Sequence, residues 1–140
     1  GYYRYRLMLP SLLAFLSSAL YLTSNGLADI RTESAYVLLL TALEAPCIAL
    51  FLAAAAADKV EGLALSKLCG LLFAGPAIAV FVPEPWQPAG FIVPAYWPVK
   101  SYMLGKSGDS IFAFLTFAAG LAYHVLLLKL ADRAIAKRTG

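Results

Sequence analysis

Four long apolar runs, about Leu7–Ala28, Ala35–Ala57, Leu63–Val82 and Ser110–Ala131, alternate with short polar stretches along the chain. Each approaches or exceeds the roughly 20 residues that a helix needs to cross about 30 Å of hydrocarbon. The pattern predicts an all-α, polytopic membrane helix bundle with four transmembrane helices, a single domain over residues 1–140. Between the third and fourth runs the pattern changes. Val82–Lys100 holds Pro83, Pro85, Pro88, Pro94 and Pro98 together with both tryptophans, Trp86 and Trp97. Prolines at that density forbid a continuous helix, because each lacks an N–H and restricts the residue before it. The stretch is nevertheless too apolar for an aqueous loop. Residues 83–104 therefore read as a re-entrant or interfacial segment on one membrane face, anchored by aromatic rings with polar handles.

Composition makes the membrane assignment firm. The chain is 61% hydrophobic and 14% charged, with a mean hydropathy of +0.77. A soluble domain of this length could not hide so much apolar surface. The net charge of +3 is small and its carriers dispersed, which argues against nucleic-acid binding. The cations report orientation instead. With four spans, one side carries Arg4, Arg6, Lys59, Lys67, Lys129, Arg133, Lys137 and Arg138, and the other Arg31, Lys100 and Lys106. The positive-inside rule then puts both termini in the cytoplasm, in a multi-pass protein of the plasma (inner) membrane, and the proline-aromatic segment faces outward. The first run has no evident cleavage site after it and does not read as a signal peptide. The chain begins with Gly1 rather than Met, which leaves room for two further spans upstream.

Several residues stand out against the apolar background. Tyr2, Tyr3, Arg4, Tyr5 and Arg6 form an aromatic-basic collar at the entry to the first span, an interfacial anchor or a docking surface for a cytoplasmic partner. Asn25-Gly26 and the polar run Asp29–Ser34 mark the first outer connection. Glu44 lies well inside the second span. An ionisable group there costs several kcal/mol unless protonated, paired or wetted, which makes it a functional candidate; hydrogen bonding to a neighbouring helix or to backbone freed by Pro46 is the structural alternative. The alanine run Ala53–Ala57 suits close helix packing. Asp58-Lys59-Val60-Glu61-Gly62 is a tight charged turn on the inner side. Gly70, Gly75 and Pro76 suit a packed, slightly bent third span. His124 in the last span is the sole histidine, either a proton relay or a hydrogen-bonding partner for an adjacent helix. Cys47 and Cys69 sit at different depths and read as packing residues rather than a disulfide pair.

Chemical motifs are missing from the sequence. Gly105-Lys106-Ser107 ends like a phosphate-binding loop, but the first glycine of that motif would fall at Lys100 and no strand precedes it. There is no His-Glu-x-x-His, no paired-cysteine metal site and no Gly-x-Ser-x-Gly elbow. The chain reads as a non-enzyme that requires no cofactor and no metal.

From Ala42 to Lys100 the order of features resembles the membrane subunits of ABC-2-type exporters. The matching residues are Leu43-Glu44-Ala45-Pro46, Ala49–Ala54, Lys59–Lys67, Gly70, Pro76 and Pro94-Ala95-Tyr96-Trp97-Pro98-Val99-Lys100. The resemblance implies a C-terminal, four-span portion of a permease that matches spans three to six. It implies a separate ATP-binding subunit, pairing with a second permease copy or half, and an amphiphilic or lipid-like substrate. Glu44, Pro46, Pro76, Trp86, Tyr96 and Trp97 then become candidates for the translocation path and its gate. Asp58, Lys59, Glu61, Arg4 and Arg6 become candidate contacts with the ATPase. Two rival readings remain: a four-helix assembly or immunity partner without transport, and a proton-coupled carrier using Glu44 and His124.

Overall fold

The structure, a computed structural model, describes residues 2–24 and 32–139, with side chains for residues 7–24, 32–72 and 74–137. The proposed collar residues Arg4 and Arg6 and the connection over residues 25–31 lie outside the side chains described. Six α-helices follow one another: α1 (Tyr2–Ser24), α2 (Thr32–Ala55), α3 (Lys59–Leu68), α4 (Ala74–Phe81), α5 (Tyr96–Lys106) and α6 (Ser110–Thr139). Two 3-10 stretches, Cys69–Phe73 and Glu84–Ile92, precede α4 and α5. No strand occurs among the described residues. Four segments are long and apolar enough to cross a membrane: α1, α2, the composite of α3 and α4, and α6. The protein is an all-α polytopic membrane bundle. With four spans, α1 begins and α6 ends on one face of the membrane, called here the termini side; the opposite face is the hairpin side.

Local chemistry explains the helix limits. α2 starts at Thr32, three residues earlier than the apolar run, with Glu33 in its first turn where a carboxylate meets the positive end of the helix dipole. It passes through Pro46 without ending. The third span does break. Pro76 lacks the N–H that would bond the Leu72 carbonyl and its ring crowds that carbonyl, so the preceding turn over Cys69–Phe73 tightens to 3-10 geometry. α3 is capped by Asp58, whose Oδ1 accepts from the Glu61 N–H at 2.8 Å, while Glu61 Oε2 accepts from the Ala57 N–H at 2.7 Å. This reciprocal pair is a capping box displaced by one residue. α6 is one helix of 30 residues, running past the apolar run into the basic tail.

The proline-rich segment folds as a helical hairpin that enters the bundle. Its 3-10 arm runs antiparallel to α4: Gln87 reaches the Ala79 and Val82 carbonyls, and Gly90 lies against Ile78. The turn Val93-Pro94-Ala95 packs on Gly75. α5 then returns beside α2 and α6, with buried Ser101 donating to the Ala113 carbonyl at 3.0 Å. Pro98 is tolerated because it occupies the first turn of α5, where an N–H has no helical partner. The hairpin tip touches α6 at Tyr123, whose hydroxyl donates to the Ile92 carbonyl. Tyr123 is 13 residues along α6 from Ser110, so at 1.5 Å per residue the tip lies roughly 20 Å from the start of that helix. The segment therefore dips into the bundle from its hairpin side rather than lying across its end.

Candidate functional site

Non-α backbone can exist at this depth only where protein satisfies its polar groups. The hairpin meets that condition with its own side chains and, at its tip, with Tyr123 of α6. Gln87 is buried and central: its amide donates to the Val82 carbonyl at 2.9 Å, and its Oε1 accepts from Lys100 Nζ at 2.7 Å and from the Tyr96 hydroxyl at 3.3 Å. Trp97 Nε1 donates to the Phe91 carbonyl at 3.2 Å. The rings interlock as well, with Trp97 stacked on Phe91 at 5.2 Å and edge-on to Tyr96 at 6.0 Å. Close approach to the bundle depends on missing side chains. A Cβ on Gly75 would lie 2.6 Å from the Tyr96 nitrogen, and one on Gly120 of α6 would lie 2.8 Å from the Trp97 Cβ.

Below the hairpin tip the bundle opens. α3 has no buried residue and diverges from α2 and α6. The resulting groove has a volume of about 630 Å³. Ile92, Pro94 and Tyr123 line it at mid-depth, and Ala55, Leu65 and Ala134 line it toward the termini side. Glu44 lies at the mid-depth end, 12 residues or roughly 18 Å from the start of α2. The walls are otherwise almost wholly apolar. Ala54 and Ala55, from the run expected to bring helices together, instead line this groove. Their small side chains leave volume that α3 does not fill.

The structure brings only some of the sequence candidates together. Glu44 lines the groove. Tyr96 is 1% exposed and Trp97 half-buried, both within the hairpin above it. Pro46 is buried on another face of α2, beside Leu7, Leu12 and Ala42, and Pro76 stands on α4. Trp86 is 73% exposed at the hairpin's outer end. Asp58, Lys59 and Glu61 are exposed on the termini side, the two carboxylates engaged in the α3 cap. His124 is fully buried and does not line the groove. Its Nδ1 meets the Gly120 carbonyl at 2.7 Å, so Nδ1 carries the proton, and Nε2 has no partner among the described residues. A second buried atom without a partner, Glu33 Oε2, belongs to a side chain packed on Gly105.

Sequence reasoning missed Gln87 and Lys100, whose roles depend on the antiparallel register of the hairpin, and Tyr123, which lies beside His124 in an otherwise apolar stretch. A glutamine flanked by prolines in an apolar segment was the available signal for the first.

No solved structure matches the chain. Two relatives from Mycobacterium tuberculosis do: fluoroquinolones export permease protein MT2760 of strain CDC 1551 / Oshkosh and fluoroquinolones export permease protein Rv2686c of strain ATCC 25618 / H37Rv. Each is 28% identical over 91 residues, which is 64% of this chain and 35% of the relative. The match thus spans about a third of the length of those relatives. Residues 1–131, comprising the first three spans, the hairpin and most of α6, match one family throughout, and the chain belongs to the family of fluoroquinolones export permease protein Rv2686c-like.

Proposed function

We propose that this chain forms part of the translocation path of an ATP-driven exporter of the ABC-2 type. The single observation that carries the reading is the groove: apolar, extending from mid-depth of the bundle toward the termini side, and ended by the tip of the hairpin. A path that is closed off part-way through the bundle is the form that alternating access requires. The family and the relatives' names support export, and fluoroquinolones are amphiphiles of a size that suits such a groove. Both termini face the cytoplasm on the charge distribution, so the groove takes its solute from the inner side and the hairpin serves as the outward gate. ATP hydrolysis belongs to a separate subunit. Asp58, Lys59 and Glu61 stand on the face where that subunit would dock, with Arg4 and Arg6 on the same side, and a second permease copy or half completes the path.

Reconstitution of the full-length permease in vesicles, with and without its ATP-hydrolysing partner, tests this reading. The expected result is fluoroquinolone movement that requires both proteins and ATP. A folded, ATP-hydrolysing complex that moves no fluoroquinolone across the membrane would overturn it.

A further inference from the structure

The groove's polar groups differ in what they have left to offer. Cys47 Sγ donates to the His124 carbonyl at 3.6 Å, and the Tyr123 hydroxyl donates to the Ile92 carbonyl. Both are turned to the protein's own backbone. Glu44 forms no hydrogen bond or ion pair among the described residues, and no lysine, arginine or histidine lines the groove. An intramembrane carboxylate normally pairs or lines a pathway. Here the pathway supplies no cation from the described chain. Phe51, Leu68 and Leu72 offer apolar walls within the same cavity, whose volume of about 630 Å³ falls in the usual range for small-molecule sites.

We infer that the groove binds amphiphiles carrying a single protonated amine, the ammonium pairing with Glu44 at mid-bilayer and the apolar body lying along α2, α3 and α6. This rests on the proposed export function and names its substrate class. The charge chooses the sign: a carboxylate in an apolar cavity attracts a cation and repels an anion, and its interaction is strengthened where water is scarce. The walls choose the remainder of the molecule, since a small hydrophilic cation would leave them unfilled.

The test is equilibrium binding to the full-length permease in phosphatidylcholine nanodiscs, without nucleotide or ATPase. The probes are dansylcadaverine, which carries one ammonium, and its uncharged N-acetyl derivative. Wild type should bind the amine about tenfold more tightly than the neutral probe, as expected for one hydrogen bond to a charged group. Glu44→Gln should bring the two affinities together, and Glu44→Asp should restore part of the preference, which a merely misfolded protein would not do. Ala131→Phe, which fills the groove, should weaken both probes. Equal affinities in wild type, a preference that survives in Glu44→Gln, or no binding of either probe because protein occupies the groove would each overturn the inference. ATP-dependent flux of the same proteins separates the two readings. Intact flux without Glu44-dependent amine preference defeats this inference alone, whereas the preference without flux defeats the export reading alone.

Discussion

The hairpin side and the termini side of this bundle are both made from apolar helices, yet they pack in opposite ways. On the hairpin side, glycines let backbones meet. Gly75 admits the Val93–Ala95 turn, Gly120 admits Trp97, and Gln87 ties α4, the 3-10 arm and α5 through four hydrogen bonds. On the termini side, α3 buries no residue, leaving the groove. Small residues occur in both halves, so size alone does not decide which packs. A Cβ on Gly75 would meet backbone at 2.6 Å, whereas one on Gly70, about a turn and a half earlier, would meet nothing within 4 Å. What differs is the partner. The hairpin supplies an extra layer that fills the space between α4, α2 and α6, and nothing equivalent among the described residues lies beneath its tip. The proposed transport path uses this asymmetry, a close-packed layer beside an open volume.

Three substitutions can break or sharpen the contrast. The largest effect is expected from Gly75→Val. Its Cβ would strike the Tyr96 nitrogen and the Ala95 carbonyl carbon, and backbone cannot step aside as a flexible side chain can. A loss of about 3 kcal/mol in unfolding free energy in detergent is expected; the same change at Gly70 should cost far less. Equal losses at the two glycines would show that the halves are packed alike.

Next comes Gln87→Leu, which leaves Lys100 and the Val82 carbonyl without their partner in a low-dielectric setting. A loss of about 2 kcal/mol is expected, together with faster hydrogen exchange in residues 84–106 and unchanged exchange in α3. Gln87→Glu keeps the acceptor for Lys100 and should recover part of the loss. Exchange that rises equally in both halves would mean that Gln87 does not act through the hairpin.

The smallest effect belongs to Asp58→Ala, which removes the α3 cap at a cost of about 1 kcal/mol. Because α3 buries nothing, the loss should appear as fraying of residues 59–65 and leave the hairpin's exchange rates unchanged. A shift in the hairpin as well would show that the two halves are coupled through the third span. In the proposed complex with an ATP-hydrolysing subunit, Asp58→Ala paired with Glu61→Ala should also change that subunit's ATP hydrolysis rate if this turn transmits coupling; an unchanged rate removes it from the mechanism.

Four apolar runs of membrane-spanning length determined the all-α membrane class, because hydrocarbon leaves an isolated segment no other way to satisfy its backbone. Proline density likewise determined that residues 83–104 could not be another full span. The charged turn Asp58–Gly62 was visible in the sequence, and the structure adds that the Asp58 and Glu61 carboxylates cap α3. The ionisable residue inside α2 was visible too. Only the tertiary structure decided that Glu44 faces a groove while Pro46, two residues on, faces α1, and that His124 is sealed away from both. Hydrophobic periodicity could not tell these faces apart, since lipid and protein interior are equally apolar and every side of a membrane helix reads the same. Depth was hidden for the same reason: the hairpin's descent into the bundle depends on Gly75, Gly120 and Tyr123, brought together with the hairpin only by the packing of α4 and α6 around it.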